Sequence, residues 1–385
     1  MLEKALTGSK RYWTWITLLL VLIGAGSGCY LYQLSEGLGI TGMGRDISWG
    51  LYIGQLTFLV GVAASAVMVV LPYYLHDYKA FGKITVLGEF LAVSAVLMCG
   101  LFVLVDLGSP ARMFYLILHP TPKSILFWDM VVLNGYLILN IVIAWTVLAA
   151  ERKSVPPPAW VKPLIYVSIP WAISIHTVTA FLYAGLPGRH LWLTAILAAR
   201  FLGSAFAAGP ALLIILCLIV RKLTKFDPGR EAIQNLARIV TYALIVSIFF
   251  VLLEFFTAFY SQVPGHMHGL QYLFFGLEGH GNLVPWMRVS AILAIAAALF
   301  LIIPSTRRNE NILALSCVAV FISLWIEKGI TLVIAGFIPS PLEKITEYSP
   351  TVPELLITLG VWAIGFLVLT VLYKVAVAVK EEVAV

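Results

Sequence analysis

The 385-residue chain is 61% hydrophobic and only 11% charged, with a mean hydropathy of +0.97. Soluble domains carry about 25% charged residues, so this composition excludes a soluble globular protein and indicates a polytopic membrane protein. The formal net charge of +6 does not indicate nucleic-acid binding, because the basic residues are concentrated in alternate loops between apolar stretches. We therefore expect an all-α polytopic membrane protein.

Apolar runs of about 20 residues, the length that crosses about 30 Å of hydrocarbon, recur along the chain. Ten spans are predicted, at 14–34, 47–71, 86–106, 124–148, 164–184, 192–220, 236–259, 284–303, 311–335 and 355–378. Lysine and arginine are concentrated in the loops on the side of both termini, so the positive-inside bias predicts that both termini are cytoplasmic. Gly26-Ser27-Gly28-Cys29 resembles a lipoprotein cleavage site, but the apolar run continues beyond it and we expect the first helix to be retained.

The short loops predict mostly antiparallel neighbouring helices within a single integral membrane domain, 1–385. We expect two four-helix bundles, about 44–184 and about 192–335, with spans 1 and 10 peripheral to them. Small residues spaced by three or four positions mark two helix faces that are expected to pack closely. They are Gly50, Gly54, Gly61, Ala64 and Ser65 in span 2, and Gly203, Ser204, Ala207, Ala208 and Gly209 in span 6.

The positions of histidine and cysteine limit the cofactors that the chain can hold. Only His176 lies deep within a span, so a transmembrane haem held by two histidines is not expected. Each of the four cysteines is alone in its span, which argues against an iron–sulphur cluster; they are Cys29, Cys99, Cys217 and Cys317. The outer-loop histidines at 266, 268 and 280 lie in a glycine-rich segment, and no metal site is predicted.

Eight ionisable residues lie within the predicted spans, mostly toward the end opposite the termini. They are Asp106, Asp129, His176, Arg200, Glu254, Arg288, Glu327 and Lys328. An ionisable group in hydrocarbon costs roughly 2.5–3.5 kcal/mol on insertion scales, so the group predicts a polar site near the outer face. Individual residues also have structural interpretations. Glu254 is compatible with a structural ion pair with Arg200 or Lys328, and Asp129 and Arg288 are compatible with a location at the membrane interface.

Asp106 and His176 are the candidate catalytic residues, because a carboxylate and an imidazole can both exchange protons. This pair suits a redox reaction that takes up or releases protons. A candidate proton path comprises Glu89, which lies near the cytoplasmic end of span 3, with Arg200, Glu254, Glu327 and Lys328. A secondary transporter or ion-conducting protein is the main alternative, although the chain has no clear inverted repeat and no matched pair of broken helices. A passive membrane anchor for redox subunits is the third possibility.

Several segments, in order, resemble the membrane subunits of the NrfD/polysulphide-reductase family. They are ISWGLY (47–52), DLGSPAR (106–112), LFWD (126–129), SIHT (174–177), PGRH (187–190), EFF (254–256), WIEK (325–328) and YSPT (348–351). The ten-span branch that includes the hydrogenase-associated HybB and the sulphite-reduction-associated DsrP is the most similar, and the DsrP side of it is favoured. Many relatives have Gly-Arg-Pro after span 3, whereas this chain has Gly108-Ser109-Pro110 with arginine at Arg112, which puts the role of Arg112 in doubt.

The resemblance implies a haem-free membrane subunit, without an iron–sulphur cluster of its own, that binds menaquinone or menaquinol near the outer face. It implies electron exchange with an exoplasmic ferredoxin-like iron–sulphur subunit, in a complex with cytochrome c and haem b membrane subunits. The implied location is the prokaryotic cytoplasmic membrane. The quinone pocket that it implies comprises Tyr52, Asp106, Arg112, His119, Trp128, Asp129 and His176.

Overall fold

In the computed structural model, which describes residues 1–383, ten helices are long and apolar enough to cross a membrane. In chain order, α1 to α10 are Lys10–Glu36, Leu51–Leu75, Thr85–Asp106, Ile125–Arg152, Val161–Ala184, Leu197–Leu223, Arg230–Ser261, Val284–Ile302, Glu310–Ala335 and Val352–Val383. The prediction of an all-α polytopic membrane protein with ten spans is therefore confirmed. The bounds differ most at α7, which begins six residues earlier than expected, and at α6 and α10, which begin and end five residues later than expected, respectively.

The helix neighbours follow the chain order closely. Helix α2 packs on α3, α3 on α4, and α4 on α5, while α6 packs on α7 and α9, and α8 on α9. The two sets meet where α2 and α5 contact α6 and where α2 contacts α9. Helix α1 packs along α10, and α10 also packs on α3. The division of the chain into bundles at 44–184 and 192–335 stays a prediction.

The small residues of α2 and α6 lie where backbones approach closely, as expected. A Cβ atom built on Gly54 would lie 2.2 Å from the carbonyl oxygen of Gly329 in α9. One built on Gly209 would lie 2.7 Å from the backbone nitrogen of Ser65 in α2. Dispersion and close packing replace the hydrophobic effect between helices in a bilayer, so these contacts hold α2 at the centre of the molecule.

Helices α2 and α9 are locally irregular, and an outer loop is partly helical. Helix α2 consists of two helical stretches, Leu51–Ala63 and Val67–Leu75, and α9 contains a π-helical stretch, Glu327–Leu332. Such π turns occur frequently at functional sites. The long loop after α7 contains the short helix Pro264–Phe274, where the sequence predicted only a loop.

Both termini lie on one face of the bundle, where Lys4 contacts Glu382 in an ion pair. We call this end of the molecule the terminal face and the other end the opposite face. Helices α3, α5, α7 and α9 run toward the opposite face, and α4, α6, α8 and α10 begin there. The opposite ends of α3, α4 and α5 therefore lie on the same side of the membrane as the helix Pro264–Phe274.

Candidate functional site

Asp129 begins the polar arrangement at the opposite end of α4. Its side chain is buried, and its Oδ1 accepts a hydrogen bond of 2.6 Å from the Thr179 hydroxyl of α5. The same hydroxyl lies 2.8 Å from the carbonyl oxygen of Ile175, so its single proton is shared between two acceptors. The carboxylate consequently keeps acceptor capacity for a further donor. The side chain is buried within the protein, and the interfacial interpretation of Asp129 stays a prediction.

His176 lies one turn before Thr179 on α5 and is completely buried. Neither of its ring nitrogens has a hydrogen-bond partner among the described residues. The imidazole borders a void of about 10 Å³, which is about the space that one water molecule needs. Thr57, Ser204 and Lys328 also line this void. An imidazole with two unsatisfied nitrogens beside a polar void is suited to bind water or a polar ligand group.

Tyr183 of α5 contacts Thr57, which lines this void. The Thr57 hydroxyl donates its only proton to the carbonyl oxygen of Ile53 at 2.7 Å, so the adjoining Tyr183 hydroxyl donates to Thr57. Asp106 is the last residue of α3, and its buried Oδ1 has no partner among residues 1–383.

Tyr52 of α2 is held on the other side of Asp106. Its hydroxyl donates to Gln33 Oε1 at 2.8 Å, and Gln33 Nε2 donates to the carbonyl oxygen of Val105 at 2.7 Å. Both side chains are buried. This bridge joins α1, α2 and the end of α3, where Val105 directly precedes Asp106.

Tyr348, in the loop before α10, fixes the first turn of α2. Its hydroxyl accepts a hydrogen bond of 2.9 Å from the backbone N–H of Leu51 and donates to the buried carboxylate of Glu354. Burial, followed by the Glu354 charge, raises the pKa of Tyr348 above its usual range. The tyrosine therefore stays neutral and keeps its proton for Glu354.

A buried ionic network occupies the region between α6, α7 and α9, and we call Arg200, Glu254, Glu327 and Lys328 the ionic cluster. Arg200 contacts Glu254 through one guanidinium nitrogen and Glu327 at 2.8 Å through another, and Lys328 Nζ lies 3.2 Å from Glu327. Two cations and two anions give the ionic cluster a net charge of zero. Burial of charge is tolerated only when the charges are paired in this way.

The ionic cluster reaches the void beside His176 through Lys328. The Lys328 ammonium lies 5.0 Å above the Phe201 ring, a cation–π arrangement. It lines the same void as His176, and its Nζ makes no hydrogen bond of good geometry within the described chain. The void therefore separates an unsatisfied imidazole from an unsatisfied ammonium, which one bridging water would satisfy.

The remaining predicted site residues lie apart from this arrangement. Arg112 and His119 are exposed in the segment after α3, and their quinone-binding role stays a prediction. Trp128 is 45% exposed, and its indole N–H donates to the carbonyl oxygen of Pro122 at 2.8 Å. Arg288 is exposed and donates to the carbonyl oxygen of Phe274, and its interfacial interpretation stays a prediction.

Glu89 lies near the terminal face, far along α3 from Asp106. It is buried, and its Oε2 is unpartnered within residues 1–383. Glu151 and Lys380, which form an ion pair at 2.8 Å, lie within electrostatic range of it. The path role of Glu89 stays a prediction.

Sequence reasoning missed several neutral partners in this arrangement. They are Gln33, Thr57, Thr179 and Tyr183. Thr179 lies three residues after His176 and so faces the same side of α5, which is a signal that the sequence does contain. Gln33, by contrast, lies near the end of a helix that is mostly exposed, and nothing in its sequence surroundings marks it.

Comparison with known proteins gives the relationships of the chain. The family model described as "Polysulphide reductase, NrfD" matches residues 39–340. The chain is 26% identical to a putative membrane subunit of dimethyl sulfoxide reductase from Halobacterium salinarum, over 92% of this chain and 88% of the relative. It is 21% identical to the menaquinone reductase integral membrane subunit of Nitratidesulfovibrio vulgaris, over 95% and 91%.

A third relative is the Hdr-like menaquinol oxidoreductase integral membrane subunit of Archaeoglobus fulgidus, which is 20% identical over 70% of this chain and 66% of the relative. The family model covers most of the helices described above, from the loop before α2 to the end of α9. The chain belongs to the NrfD family of polysulphide-reductase membrane subunits.

Proposed function

We propose that the chain binds menaquinol or menaquinone at the opposite ends of α3, α4 and α5 and exchanges electrons with an iron–sulphur subunit bound to the opposite face. Two relatives are integral membrane subunits whose names specify menaquinol or menaquinone. The concentration of basic residues in the loops of the terminal face supports a cytoplasmic terminal face. The quinone would then bind near the outer surface of the membrane.

The observation that carries the proposal is the set of unsatisfied polar atoms in this region. Asp106 Oδ1 and both nitrogens of His176 are buried without partners within residues 1–383. Each such atom costs about 1–3 kcal/mol, and this cost calls for an explanation such as a ligand or bound water. A quinol hydroxyl offers a donor to Asp106, and a quinone carbonyl offers an acceptor to a histidine N–H. The residues therefore fit the groups that the ligand carries.

Oxidation of a quinol releases two electrons and two protons. In the proposed reaction Asp106 accepts one proton and His176 the other, while the two electrons pass to the partner's cluster. Tyr52 and Asp129 orient the ring through their hydrogen-bonding groups. The reverse sequence reduces a quinone. The chain supplies binding and proton exchange, and the partner supplies the redox centre.

The ionic cluster offers a route for protons away from His176. The shared void joins His176 to Lys328, and a contact of 3.2 Å continues to Glu327; Arg200, 2.8 Å from Glu327, keeps its proton and holds the carboxylates of the route in place. Glu254 completes the route on α7. Glu89 would accept protons that enter from the terminal face. Intramembrane ionisable groups that pair with one another commonly mark such relays.

Titration of the detergent-purified chain with a fluorescent quinol analogue tests the proposal. We expect saturable binding that weakens at least about tenfold, or about 1.4 kcal/mol, in Asp106→Asn and in His176→Ala. Asp77→Asn and His76→Ala are matched controls, because both residues are exposed in a terminal-face loop. Unchanged affinity in both site variants, with the proteins folded, contradicts the proposal.

Quinol binding, ion movement in vesicles and assembly with redox subunits together separate the alternatives. An ion-conducting protein or transporter would move ions in vesicles without any partner and would not bind the analogue saturably. A passive anchor would assemble with redox subunits, and its complex would be unaffected by Asp106→Asn. The sulphite-reduction role of the DsrP-like branch is a further proposal, which copurified subunits would identify.

A further inference from the structure

A cleft outside the proposed quinone site opens between α7 and α8 and is closed at its inner end by α9. Its walls include Ser247 and Val251 of α7 and Ala291 and Ala294 of α8, and its floor includes Ser323 and Glu327 of α9. Leu252 and Ile295, which also border it, are 61% and 55% exposed. Exposed leucine and isoleucine side chains in membrane-spanning helices face lipid, so the cleft opens sideways into the bilayer.

The floor of the cleft is polar although its walls are apolar. Glu327 is only 6% exposed, and both of its ion-pair contacts in the described chain, to Arg200 and to Lys328, use Oε1. Its other oxygen, Oε2, has no hydrogen-bond or ion-pair contact within residues 1–383 and retains acceptor capacity, and the residue lines the cleft. Ser290 and Ser323 satisfy each other through reciprocal hydrogen bonds of 2.8 Å, so they do not compete for this carboxylate.

The cleft is large enough for an organic ligand. Its volume is about 120 Å³, comparable with the apolar cavity of roughly 150 Å³ that binds benzene in a soluble protein. Serine and alanine on its walls leave this space where larger apolar side chains would fill it. Because the cleft opens into the bilayer, a lipid-soluble molecule can enter it directly from the membrane.

We infer that this cleft is a second binding site for an isoprenoid quinol, with a ring hydroxyl donating to Glu327 Oε2 and the tail leaving between α7 and α8. A phospholipid chain could fill the apolar walls, but it has no hydrogen-bond donor for a carboxylate at this depth. The identity of the ligand rests on the proposed function, whereas the position and chemistry of the site rest on the cleft itself. The site lies across the ionic cluster from His176.

Counting bound quinol analogue per chain tests the inference. The native protein should bind two equivalents, and Ala294→Phe, which fills the cleft, should bind one. Ile292→Phe is the matched control, because Ile292 lies on the same helix and is 66% exposed; it should bind two. Ser247→Leu fills the cleft from α7 and replaces Ala294→Phe if that variant does not fold.

The two sites can fail independently in this experiment. If the proposed function is wrong and the cleft is a quinol site, the native protein binds one equivalent that Ala294→Phe abolishes and Asp106→Asn leaves unchanged. If the cleft is not a quinol site, Ala294→Phe binds as many equivalents as the native protein, which overturns the inference. Loss of a copurified phospholipid from Ala294→Phe with unchanged quinol binding also overturns it, in favour of a lipid chain.

Photolabelling of the native protein gives a readout that needs no variant. An azido-substituted quinone should label peptides of α7 and α8 within 244–252 and 287–295. Labelling confined to α3, α4 and α5 contradicts the inference while supporting the proposed function.

Discussion

Replacing Arg200 with methionine tests whether the ionic cluster is one balanced network. Arg200 contacts both Glu254 and Glu327, and Lys328 is the second cation. The substitution leaves two carboxylates and one ammonium in a region where every member is largely buried. Breaking a buried ion pair costs about 3–5 kcal/mol. One guanidinium here pairs with two carboxylates. We therefore expect Arg200→Met to lower the free energy of unfolding by about 5 kcal/mol, the upper end of that range.

A compensating variant makes this prediction sharper. Arg200→Met combined with Glu254→Gln leaves only Glu327 and Lys328 charged, so the net charge returns to zero. Residues in direct contact typically show coupling energies of about 0.5–3 kcal/mol, and we expect the double variant to regain about 1–3 kcal/mol relative to Arg200→Met. Arg288→Met is the control, since Arg288 is exposed and surface substitutions usually change stability by about 0.5 kcal/mol or less.

Unfolding can be followed with a thiol-reactive fluorophore in detergent. Cys99, Cys217 and Cys317 are completely buried, so they become reactive only when the helices separate. The reasoning is refuted if Arg200→Met lies within about 1 kcal/mol of the native protein, which is less than the loss of one buried partner. It is also refuted if the double variant is no more stable than the single one.

Three further predictions concern packing, the site and pH. Gly54→Ala places a methyl group 2.2 Å from the Gly329 carbonyl oxygen and should cost about 1–3 kcal/mol, whereas Gly24→Ala, with nothing within 4 Å, should leave the unfolding midpoint unchanged or higher. Thr179→Val removes the donor to Asp129 and should cost about 1–3 kcal/mol and weaken quinol binding; unchanged affinity contradicts its positioning role. Hydrogen bonds from Lys344 and Thr346 lower the pKa of Asp46, so the stabilisation is present above the unfolded pKa and is lost as the pH falls through the folded one. In Asp46→Asn, the unfolding midpoint should therefore fall less steeply as the pH is lowered than in the native protein. An equally steep fall contradicts this assignment.

The ten helices could be predicted from the sequence because the bilayer imposes a simple length and polarity requirement. The local departures could not. The break in α2 between Ala63 and Val67 lies against Gly209 of α6, and the π turn at Glu327–Leu332 lies against Gly54 of α2. The Gly54 contact with Gly329, for example, joins residues far apart in the chain, and a hydropathy profile contains no information on such pairs.

The candidate site was partly predictable for a related reason. Charged residues in a span are conspicuous because burying them is costly, and this signal identified Asp106, His176 and the ionic cluster. Neutral partners such as Thr179 and Tyr183 carry no comparable signal, because they are common in helices. Arg112 was named by its place in a motif rather than by depth, and the structure leaves it exposed.

The most direct test of the central claim is a cryo-electron-microscopy map of the purified protein with a saturating quinol analogue. Our account predicts ring density between Asp106, Tyr52 and His176 at the opposite ends of α3, α4 and α5. It also predicts that, at a ligand concentration that only just saturates the native protein, this density is weaker in Asp106→Asn. A map at saturating ligand with this region empty, and the helices as described, would contradict the account.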